Sequence, residues 1–404
     1  MKSTWTKSPD LKCSGWIRFT LSIGAFIGAL CALALSQTPD LYTVSRAATP
    51  GVRFVIASTP ATNPYPQSVA VGDFNGDGTL DLAVPVYSIG TALSDLTILL
   101  GNGNGTFNRG AAVGLTGQNV NNAVVADFNG DGNLDLAISL PDANEYQVLL
   151  GNGDGSFTAL SPVPATAIFV IATGDFNHDG KPDLALVNPG AESVTILLGN
   201  GNGTFREKST ISISGAPTAI AIGDLNLDGK EDLAVVNGST QSVTILLGKG
   251  DGTFTKVASQ PATGVEPLSI AIGDFDGDSI PDLAVSNQNY GYPNLGTVIV
   301  LLGNGKGEFR ATAASPQTGS IPDTILVADF NGDGKPDLLT SNAGSNTISL
   351  LLGEGHGVFA KAQNFAAGTD PLGAVLGDFN GDGIPDVAVA NNTTSSVTVL
   401  LTKR

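Results

Sequence analysis

Short apolar runs recur along the chain after residue 50, and they come in sets of four. In one set, Ala219–Ile222 precedes an acidic segment, Asp232–Val236 follows it, and Ser242–Leu247 leads into a glycine-rich hairpin before a weaker polar run. Short runs rich in Val, Ile and Leu, bounded by Gly and Asp, are typical of strands. The pattern therefore predicts an all-β chain with four short antiparallel strands in every set.

The acidic segment sets the period of this pattern. It reads Asp-Phe-Asn-Gly-Asp-Gly-x-x-Asp, or a close variant, and its seven copies are separated by steps of 54, 48, 49, 50, 55 and 49 residues. The copies begin at Asp73, Asp127, Asp175, Asp224, Asp274, Asp329 and Asp378. Repeats of about 50 residues are typical of propellers or solenoids.

The position of a recurring phenylalanine distinguishes a propeller from a solenoid. One Phe lies 18 to 20 residues before each acidic segment, at Phe54, Phe107, Phe157, Phe205, Phe254, Phe309 and Phe359. The last repeat ends with its third run, Val397–Leu401, and has no hairpin after it. The run around Phe54 is then the missing outer strand of the last set, which closes a ring and removes two exposed sheet edges. The sequence predicts a seven-bladed β-propeller whose N-terminal strand completes the last blade.

Each acidic segment carries oxygen side chains at its first, third, fifth and ninth positions. These candidate metal ligands are Asp73, Asn75, Asp77, Asp81, Asp127, Asn129, Asp131, Asp135, Asp175, Asn177, Asp179, Asp183, Asp224, Asn226, Asp228, Asp232, Asp274, Asp276, Asp278, Asp282, Asp329, Asn331, Asp333, Asp337, Asp378, Asn380, Asp382 and Asp386. Three or four carboxylates in nine residues repel one another unless a cation lies between them. Hard oxygen ligands, with a backbone carbonyl at the seventh position, suit Ca²⁺ better than Mg²⁺, which requires a stricter octahedron.

Two other kinds of loop contain similar acidic segments. An EF-hand needs Glu at position 12, where this chain has residues such as Val84 and Leu186, and it needs flanking helices. Simple Asx turns would not require a carboxylate at the ninth position seven times. We therefore expect up to seven structural Ca²⁺ ions. The fifth loop has Asp276 in place of Asn and Ser279 in place of Gly, which predicts tighter binding or a strained turn.

Composition and charge change this picture little. The formal net charge is −18, and 22 of the 37 acidic residues are aspartates of the seven loops. Nucleic acid and anionic membrane surfaces both attract clustered Lys and Arg, so neither is expected as a partner. The 42% apolar content excludes wholesale disorder, and 52 Gly with 22 Pro disfavour a helical protein.

The N-terminal segment differs from the repeats. Basic residues such as Lys12 and Arg18 precede an uncharged apolar run, Phe19–Leu35, which is the pattern of a signal peptide. We expect residues 1–36 to be a signal peptide, 37–50 a linker and 51–404 the propeller. An uncleaved N-terminal anchor is the alternative, and only that anchor would bring the protein to a membrane. In both cases the protein is exported, to the periplasm, the cell surface or the medium.

The repeated segment followed by Leu, with turns of the Gly215-Ala216-Pro217 type, resembles the FG-GAP repeat. This repeat is called the VCBS-type repeat in bacterial proteins, and it also occurs in the integrin alpha-subunit propeller. The resemblance covers about residues 51–404. It implies calcium bound in the loop between the first and second strands of each blade, with a structural role.

Few other residues indicate chemistry. His178 and His356 are the only histidines and fall in different repeats, so no histidine-dependent triad is expected. Glu266, Asp323 and Asp370 lie on connections between blades, where we expect ordinary solvated loop acids.

Five tyrosines map to the turns and connections opposite the acidic loops, where the repeats vary most. They are Tyr65, Tyr87, Tyr146, Tyr290 and Tyr292. Tyrosine suits stacking on sugars and packing against proteins, so this end is the predicted ligand-binding face. The favoured function is a non-catalytic binding or adhesion module for a glycan or protein partner. The alternatives are a polysaccharide-degrading enzyme, lyase or hydrolase, and a purely structural surface protein.

Overall fold

Each predicted set of four runs forms one antiparallel sheet, and the seven sheets form a ring. The computed structural model describes residues 51–87, 96–115, 119–166, 168–289 and 295–404. The second strand of each sheet is buried on both faces, as in Asp183–Asn188, and this burial explains its continuous apolar sequence. The protein is therefore a seven-bladed β-propeller, as predicted.

The strands are numbered along the chain and grouped by blade. Blade 1 contains β2 (Ala70–Gly72), β3 (Asp81–Pro85), β4 (Leu96–Gly101) and β5 (Phe107–Arg109). Blade 2 contains β6 (Ala123–Ala126), β7 (Asp135–Leu140), β8 (Glu145–Gly151), β9 (Phe157–Ala159) and the short β10 (Val163–Pro164). Blade 3 contains β11 (Val170–Gly174), β12 (Asp183–Asn188), β13 (Ser193–Gly199) and β14 (Phe205–Ser212), with a 3-10 turn at Pro189–Ala191. Blade 4 contains β15 (Pro217–Gly223), β16 (Asp232–Asn237), β17 (Ser242–Gly248) and β18 (Phe254–Lys256).

The remaining blades follow the same order. Blade 5 contains β19 (Pro267–Gly273), β20 (Asp282–Asn287), β21 (Thr297–Gly303) and β22 (Phe309–Ala311). Blade 6 contains β23 (Pro322–Ala328), β24 (Asp337–Asn342), β25 (Thr347–Leu351) and β28 (Gln363–Ala366), with a small hairpin of β26 (Gly353–Gly355) and β27 (Val358–Phe359). Blade 7 contains β29 (Pro371–Gly377), β30 (Asp386–Asn391), β31 (Ser396–Lys403) and β1 (Arg53–Ser58).

The N-terminal strand closes the ring as the sequence predicted. β1 pairs antiparallel with β31, and this pairing places Phe54 opposite Thr402. Because β1 is the outer strand of blade 7, it covers the edge of β31 that the last repeat alone would leave unpaired.

The core lies between neighbouring blades. One apolar cluster combines Phe128 of blade 2 with Leu184 and Leu197 of blade 3, and the other clusters join residues of adjacent blades in the same way. Alternate residues of a central strand face the two neighbouring blades, so each sheet contributes to two clusters. The ring is therefore one continuous core divided into layers by the sheets.

Antiparallel order gives the ring two distinct ends. The acid-loop end holds the loops between first and second strands and the hairpins between third and fourth strands. The connection end holds the turns between second and third strands and the connections between blades. No helix in the described ranges is long and apolar enough to cross a membrane. The predicted signal peptide (1–36) and linker (37–50) lie outside the described residues.

Candidate metal centres

Each acidic loop curls around its own side-chain oxygens. In the first loop, Asp73 accepts hydrogen bonds from the amides of Asp77 at 3.2 Å and Gly78 at 2.8 Å. Asn75 Oδ1 also accepts from the Asp77 amide, at 3.0 Å. Equivalent bonds form in the other six loops at positions one and six, for example in the seventh loop from Gly383 to Asp378 at 2.8 Å. The first and third side chains thus both accept the amide of the fifth residue, and this folds the loop around their oxygens.

The fourth and sixth loop positions adopt left-handed backbone conformations. Gly76 and Gly78 have φ values of 70° and 83°, which glycine adopts without a steric penalty. Three positions carry a side chain instead: His178 at 56°, Leu227 at 61° and Ser279 at 68°. The strained turn predicted for the fifth loop from Ser279 is therefore present in the structure.

The ninth aspartate has a role that the sequence analysis missed. Asp81 is fully buried, and its two oxygens accept the amides of Phe74 at 2.9 Å and Gly101 at 2.7 Å. All seven loops repeat this pair of bonds, which ties the loop to the hairpin or, in blade 7, to Thr402. A carboxylate at this position is thus explained without a metal, which corrects the sequence argument that only a cation requires it.

Burial of these seven carboxylates shifts their proton affinity. It raises the pKa of the ninth aspartate to about 6 in Asp183, Asp232, Asp282, Asp337 and Asp386, while the two amide hydrogen bonds act in the opposite direction. Burial also raises the pKa of Asp81 and Asp135. Repulsion from the other loop carboxylates adds to the shift.

The fifth loop brings three carboxylates closest together. Oxygens of Asp274, Asp276 and Asp282 all lie within 4.8 Å of one another. Burial, followed by the charge of Asp278, raises the pKa of Asp276. This group of hard oxygen donors could hold a metal ion, and its chemistry fits a cation of the Ca²⁺ type. In the other six loops the third ligand position is an Asn amide oxygen.

A lysine approaches the fifth position of four loops. Lys230 Nζ lies 3.2 Å from Asp228, and Lys403 Nζ lies 3.1 Å from Asp382. Lys181 and Lys335 make longer contacts, of 4.0 and 3.9 Å, with their loop aspartates. The fifth loop has Ile280 at the corresponding position, so its extra carboxylate is not offset by a local ammonium group.

The acid loops also hold neighbouring blades together. The third hairpin glycine of one blade donates its amide to the second loop residue of the preceding blade, as in Gly155 to the carbonyl of Phe74 at 2.9 Å. The rings of the same loop Phe and of the hairpin Phe meet edge to face, for example Phe74 and Phe157 with centroids 5.5 Å apart. Six blade junctions carry such a pair; at the other, Leu225 replaces the loop phenylalanine.

Arg404 takes over this contact where the ring closes. Its guanidinium donates to the carbonyl oxygens of Phe330 at 2.9 Å and Asp329 at 2.7 Å. At five of the other six junctions a hairpin glycine donates to the equivalent phenylalanine carbonyl. Phe54 of the closing strand takes the place of the hairpin phenylalanine at this junction. Its ring lies edge to face against that of Phe330, with the centroids 5.7 Å apart.

At the connection end the structure brings two predicted tyrosines together. The Tyr87 amide donates to the Tyr65 carbonyl at 2.9 Å, and the side chains are 38% and 43% exposed. Tyr146 is only 4% exposed and packs against Phe205, which corrects the expectation of an exposed stacking residue there. Its burial raises its pKa to about 12. Tyr290 and Tyr292 lie outside the described residues.

The connection end also surrounds the mouth of the central channel. A cavity of about 300 Å³ there is lined by all seven blades, including Asn121, Phe169 and Asp323. Asp323 keeps some surface toward the channel, but dense surrounding protein removes most of its hydration and raises its pKa to about 6. Asp323 is therefore not the ordinary solvated acid that we expected, whereas Glu266 is exposed.

The family comparison agrees with the repeat pattern. The FG-GAP-like repeat model matches residues 86–138, 127–186, 175–235, 224–285, 289–340 and 329–389, and the FG-GAP repeat model matches 65–92. These matches cover more than half of the chain. The comparison with curated proteins gives no match.

Solved structures share the fold at low sequence identity. A protein from Lactobacillus plantarum has a TM-score of 0.58 and 14% identity, covering 76% of this chain and 86% of that one. BBS1N, solved in complex with ARL6DN, gives 0.57 at 12% identity over 87% of this chain and 97% of its own. Virginiamycin B lyase from Staphylococcus aureus gives 0.52 at 15% identity over 87% and 98%. At these identities the likeness shows the fold alone.

Proposed function

The chain belongs to the FG-GAP-like repeat family, and on that premise we propose that it is an exported, calcium-stabilised propeller that binds a glycan or a protein without catalysing a reaction. The observation that carries the proposal is the division of the ring into two ends. One end repeats the same acidic loop at every blade, and the other presents different side chains at each blade.

The donor set supports calcium at the acid-loop end. The 28 candidate donors lie in seven loops of one design, and each loop offers three or four carboxylates and a seventh-position carbonyl. When bound, Ca²⁺ would neutralise carboxylates that the fold holds close together. The chain's own residues orient the donors, because backbone amides fix the first and ninth aspartates in every loop.

One feature of the connection end supports binding. Tyr65 and Tyr87 are both exposed and are joined by a backbone hydrogen bond beside the junction of blades 7 and 1. An aromatic ring with a polar tip contributes large contact area at low cost in conformational entropy. The partner is a glycan or a protein, and neither nucleic acid nor a lipid surface fits a protein of net charge −18.

The test uses the full chain recovered from an exported fraction. Equilibrium dialysis should give saturable calcium binding of up to seven ions, and N-terminal sequencing should begin at about Gln37. Capture on a glycan array or from a protein extract in Ca²⁺ should identify the partner, and Tyr65→Ala with Tyr87→Ala should weaken it. New reducing ends or unsaturated sugar products would instead favour a polysaccharide-degrading enzyme. Capture of neither glycan nor protein would favour a purely structural surface protein.

A further inference from the structure

A buried asparagine ends the second strand of five blades. The residues are Asn188, Asn237, Asn287, Asn342 and Asn391, all at most 2% exposed. The side-chain amide usually donates to a hydroxyl on the third strand, as from Asn188 to Thr195 at 3.1 Å and from Asn237 to Thr244 at 3.0 Å. Blades 1 and 2 have Val86 and Leu140 at this position, so an aliphatic side chain also fits it.

The carbonyl oxygens of these asparagines are not all partnered. Asn287 Oδ1 accepts the amide of Gly264 at 2.8 Å, and Asn391 Oδ1 accepts that of Gly368 at 3.0 Å. Within the described ranges, the Oδ1 atoms of Asn188 and Asn237 are buried without a hydrogen-bond partner. A buried amide oxygen without a partner destabilises the fold, so two such atoms require an explanation.

The explanation lies in the connection that precedes each blade. Gly264 and Gly368 each follow a residue whose amide bonds to a turn carbonyl, as Thr263 does to Gln241 at 2.8 Å. Ala165 makes the same bond to Asn144, and it is followed by Thr166 instead of a glycine. A Cβ at Gly264 would lie 2.7 Å from Asn287 Cγ. The side chain of Thr166 therefore prevents the backbone from approaching Asn188 as Gly264 approaches Asn287. Before blade 4, Ser214 has the same effect on Asn237.

A cavity is present beside one of these two asparagines. Asn188 lines a space of about 490 Å³ between blades 2 and 3, and Asn237 is not part of its wall. Ligand sites in proteins typically have volumes of about 300–1,000 Å³. The cavity thus has the size of a ligand site, and the buried Asn188 forms part of its wall.

One wall of the cavity is a row of hydrogen-bonded polar side chains. From Asn188 the row continues through Thr195 to Thr210, whose hydroxyl oxygens are 3.1 Å apart, and Thr210 donates to Glu207 at 3.1 Å. Thr210 belongs to the outer strand because β14 has eight residues, whereas the outer strands of blades 1, 2, 4 and 5 have three. The row is therefore a feature of blade 3.

The facing wall is aromatic and aliphatic. It includes Tyr146, Val163 and Pro164 of blade 2, and Phe205 lies beside Tyr146 with ring centroids 6.2 Å apart. The described residues provide no hydrogen-bond partner for the Tyr146 hydroxyl. The cavity thus has one polar wall and one apolar wall, and the apolar wall carries the hydroxyl group of Tyr146.

We propose that this cavity binds one neutral sugar residue of a glycan. A sugar ring has hydroxyl groups at its edge and C–H groups on its faces, which match these two walls. The sugar hydroxyls would bond to Thr195, Thr210 and Glu207, and the buried amide of Asn188 holds Thr195 in this row. The buried part of the wall carries no charge, and this favours a neutral ligand over an ion. The inference rests on the proposed glycan-binding function and adds a location to it.

The test measures binding of methyl glycosides of glucose, galactose, mannose, fucose and N-acetylglucosamine to the full chain in saturating Ca²⁺. Asn188→Leu removes the amide that holds Thr195 in the cavity wall, and Asn237→Leu is its matched control, because the amide of Asn237 holds the equivalent Thr244 outside the cavity. Thr166→Phe blocks the cavity from an exposed position, and Arg206→Ala changes an exposed residue of β14 outside the cavity wall. Nuclear magnetic resonance titration reports affinity, and thermal melting reports folding.

We expect at least tenfold weaker binding of the preferred glycoside in Asn188→Leu and Thr166→Phe, and unchanged binding in both controls. Equal binding in all four variants would overturn this site and leave the proposed glycan binding intact. Failure of every glycoside to bind, with capture of a protein by the same chain, would overturn the sugar site alone. Failure to capture any glycan or protein would overturn the proposed function together with it.

Discussion

The two ends of the ring are formed by the same strands but differ in how regularly their contacts repeat. At the acid-loop end, the same contacts recur around the ring: a buried aspartate holds the hairpin, and a hairpin glycine and phenylalanine dock on the next loop. At the connection end, the equivalent positions differ, with Val86, Leu140 or Asn at the end of the second strand. The difference shows where sequence is constrained by closure of the ring and where it is free to vary.

The reason is geometric. A propeller closes only if every blade meets its neighbour at the same angle, so contacts that set this angle must repeat. Contacts at the connection end include single bonds, such as Ser68 to the Asn121 carbonyl at 3.1 Å, that differ between junctions. Function can then differ from blade to blade without disturbing closure.

The largest expected effect is removal of calcium, which would test whether the acid-loop end depends on cations. At a free concentration ten times its dissociation constant, each independent site stabilises the fold by about 1.4 kcal/mol, so seven sites contribute on the order of 10 kcal/mol. We expect a chelator to lower the melting temperature strongly and Ca²⁺ to restore it better than Mg²⁺. Calorimetry with and without chelator measures both.

An unchanged melting temperature in chelator would show that the acid-loop end does not depend on bound calcium. The loops would then be held by their own amide hydrogen bonds, such as those to Asp73 and Asp81.

A pair of phenylalanines compares the two ends directly. Phe128 is 2% exposed at the acid-loop end, and Phe169 is 43% exposed at the connection end. Phe128→Ala should destabilise the fold by about 3–5 kcal/mol, because it leaves a cavity beside Phe205. Phe169→Ala should cost less than about 1 kcal/mol. Chemical denaturation of both variants gives the two values, and equal losses would show that the ends contribute alike.

A titratable group sharpens the comparison at the connection end. The pKa of Asp323 in the folded protein is about 6, above the ordinary value near 4, so the folded state binds its proton more tightly than the unfolded state does. Its ionisation therefore destabilises the fold as pH rises from about 4 to above 6. Asp323→Asn should stabilise the protein by on the order of 1 kcal/mol at pH 7.5, and the gain should vanish at pH 4.

Denaturation of both proteins at the two pH values measures this difference. The loop aspartates titrate in both proteins, so their contribution cancels in the difference between the two free energies of unfolding. If Asp323→Asn stabilised the protein equally at pH 4, the gain in stability would come from packing instead of from the loss of a charge.

The smallest expected effect separates loops within the acid-loop end. Lys230→Thr removes an ammonium 3.2 Å from Asp228, and the first loop already has a threonine, Thr79, at this position. An exposed ion pair is worth about 0.2–1 kcal/mol, so calcium binding at the fourth loop should tighten about twofold to fivefold. Calcium titration by calorimetry would detect this change, with Lys256→Thr on an outer strand as the control. Weaker calcium binding in Lys230→Thr would contradict the idea that the Lys230 ammonium competes with Ca²⁺ for Asp228.

The periodic sequence predicted most of the fold. The spacing of Asp73 and its equivalents gave the number of blades, and the displaced Phe54 predicted the closing strand, since both follow from local patterns. It did not predict that Asp81 would accept two backbone amides, because its partner Gly101 is 20 residues away and meets it only in the folded blade. Tyr146 was misplaced for a similar reason: its burial depends on Phe205 of the next blade.

The sequence by itself determined the strands, the loops and the closure, because short apolar runs, a turn motif and a repeat length are encoded locally. Only the tertiary structure decided which repeated residues serve the junctions and which oxygen atoms lack partners. Thr166 illustrates the limit: it is an ordinary threonine in the sequence. Its effect on Asn188 arises because a connection and a strand distant in the chain are packed too closely for a side chain between them.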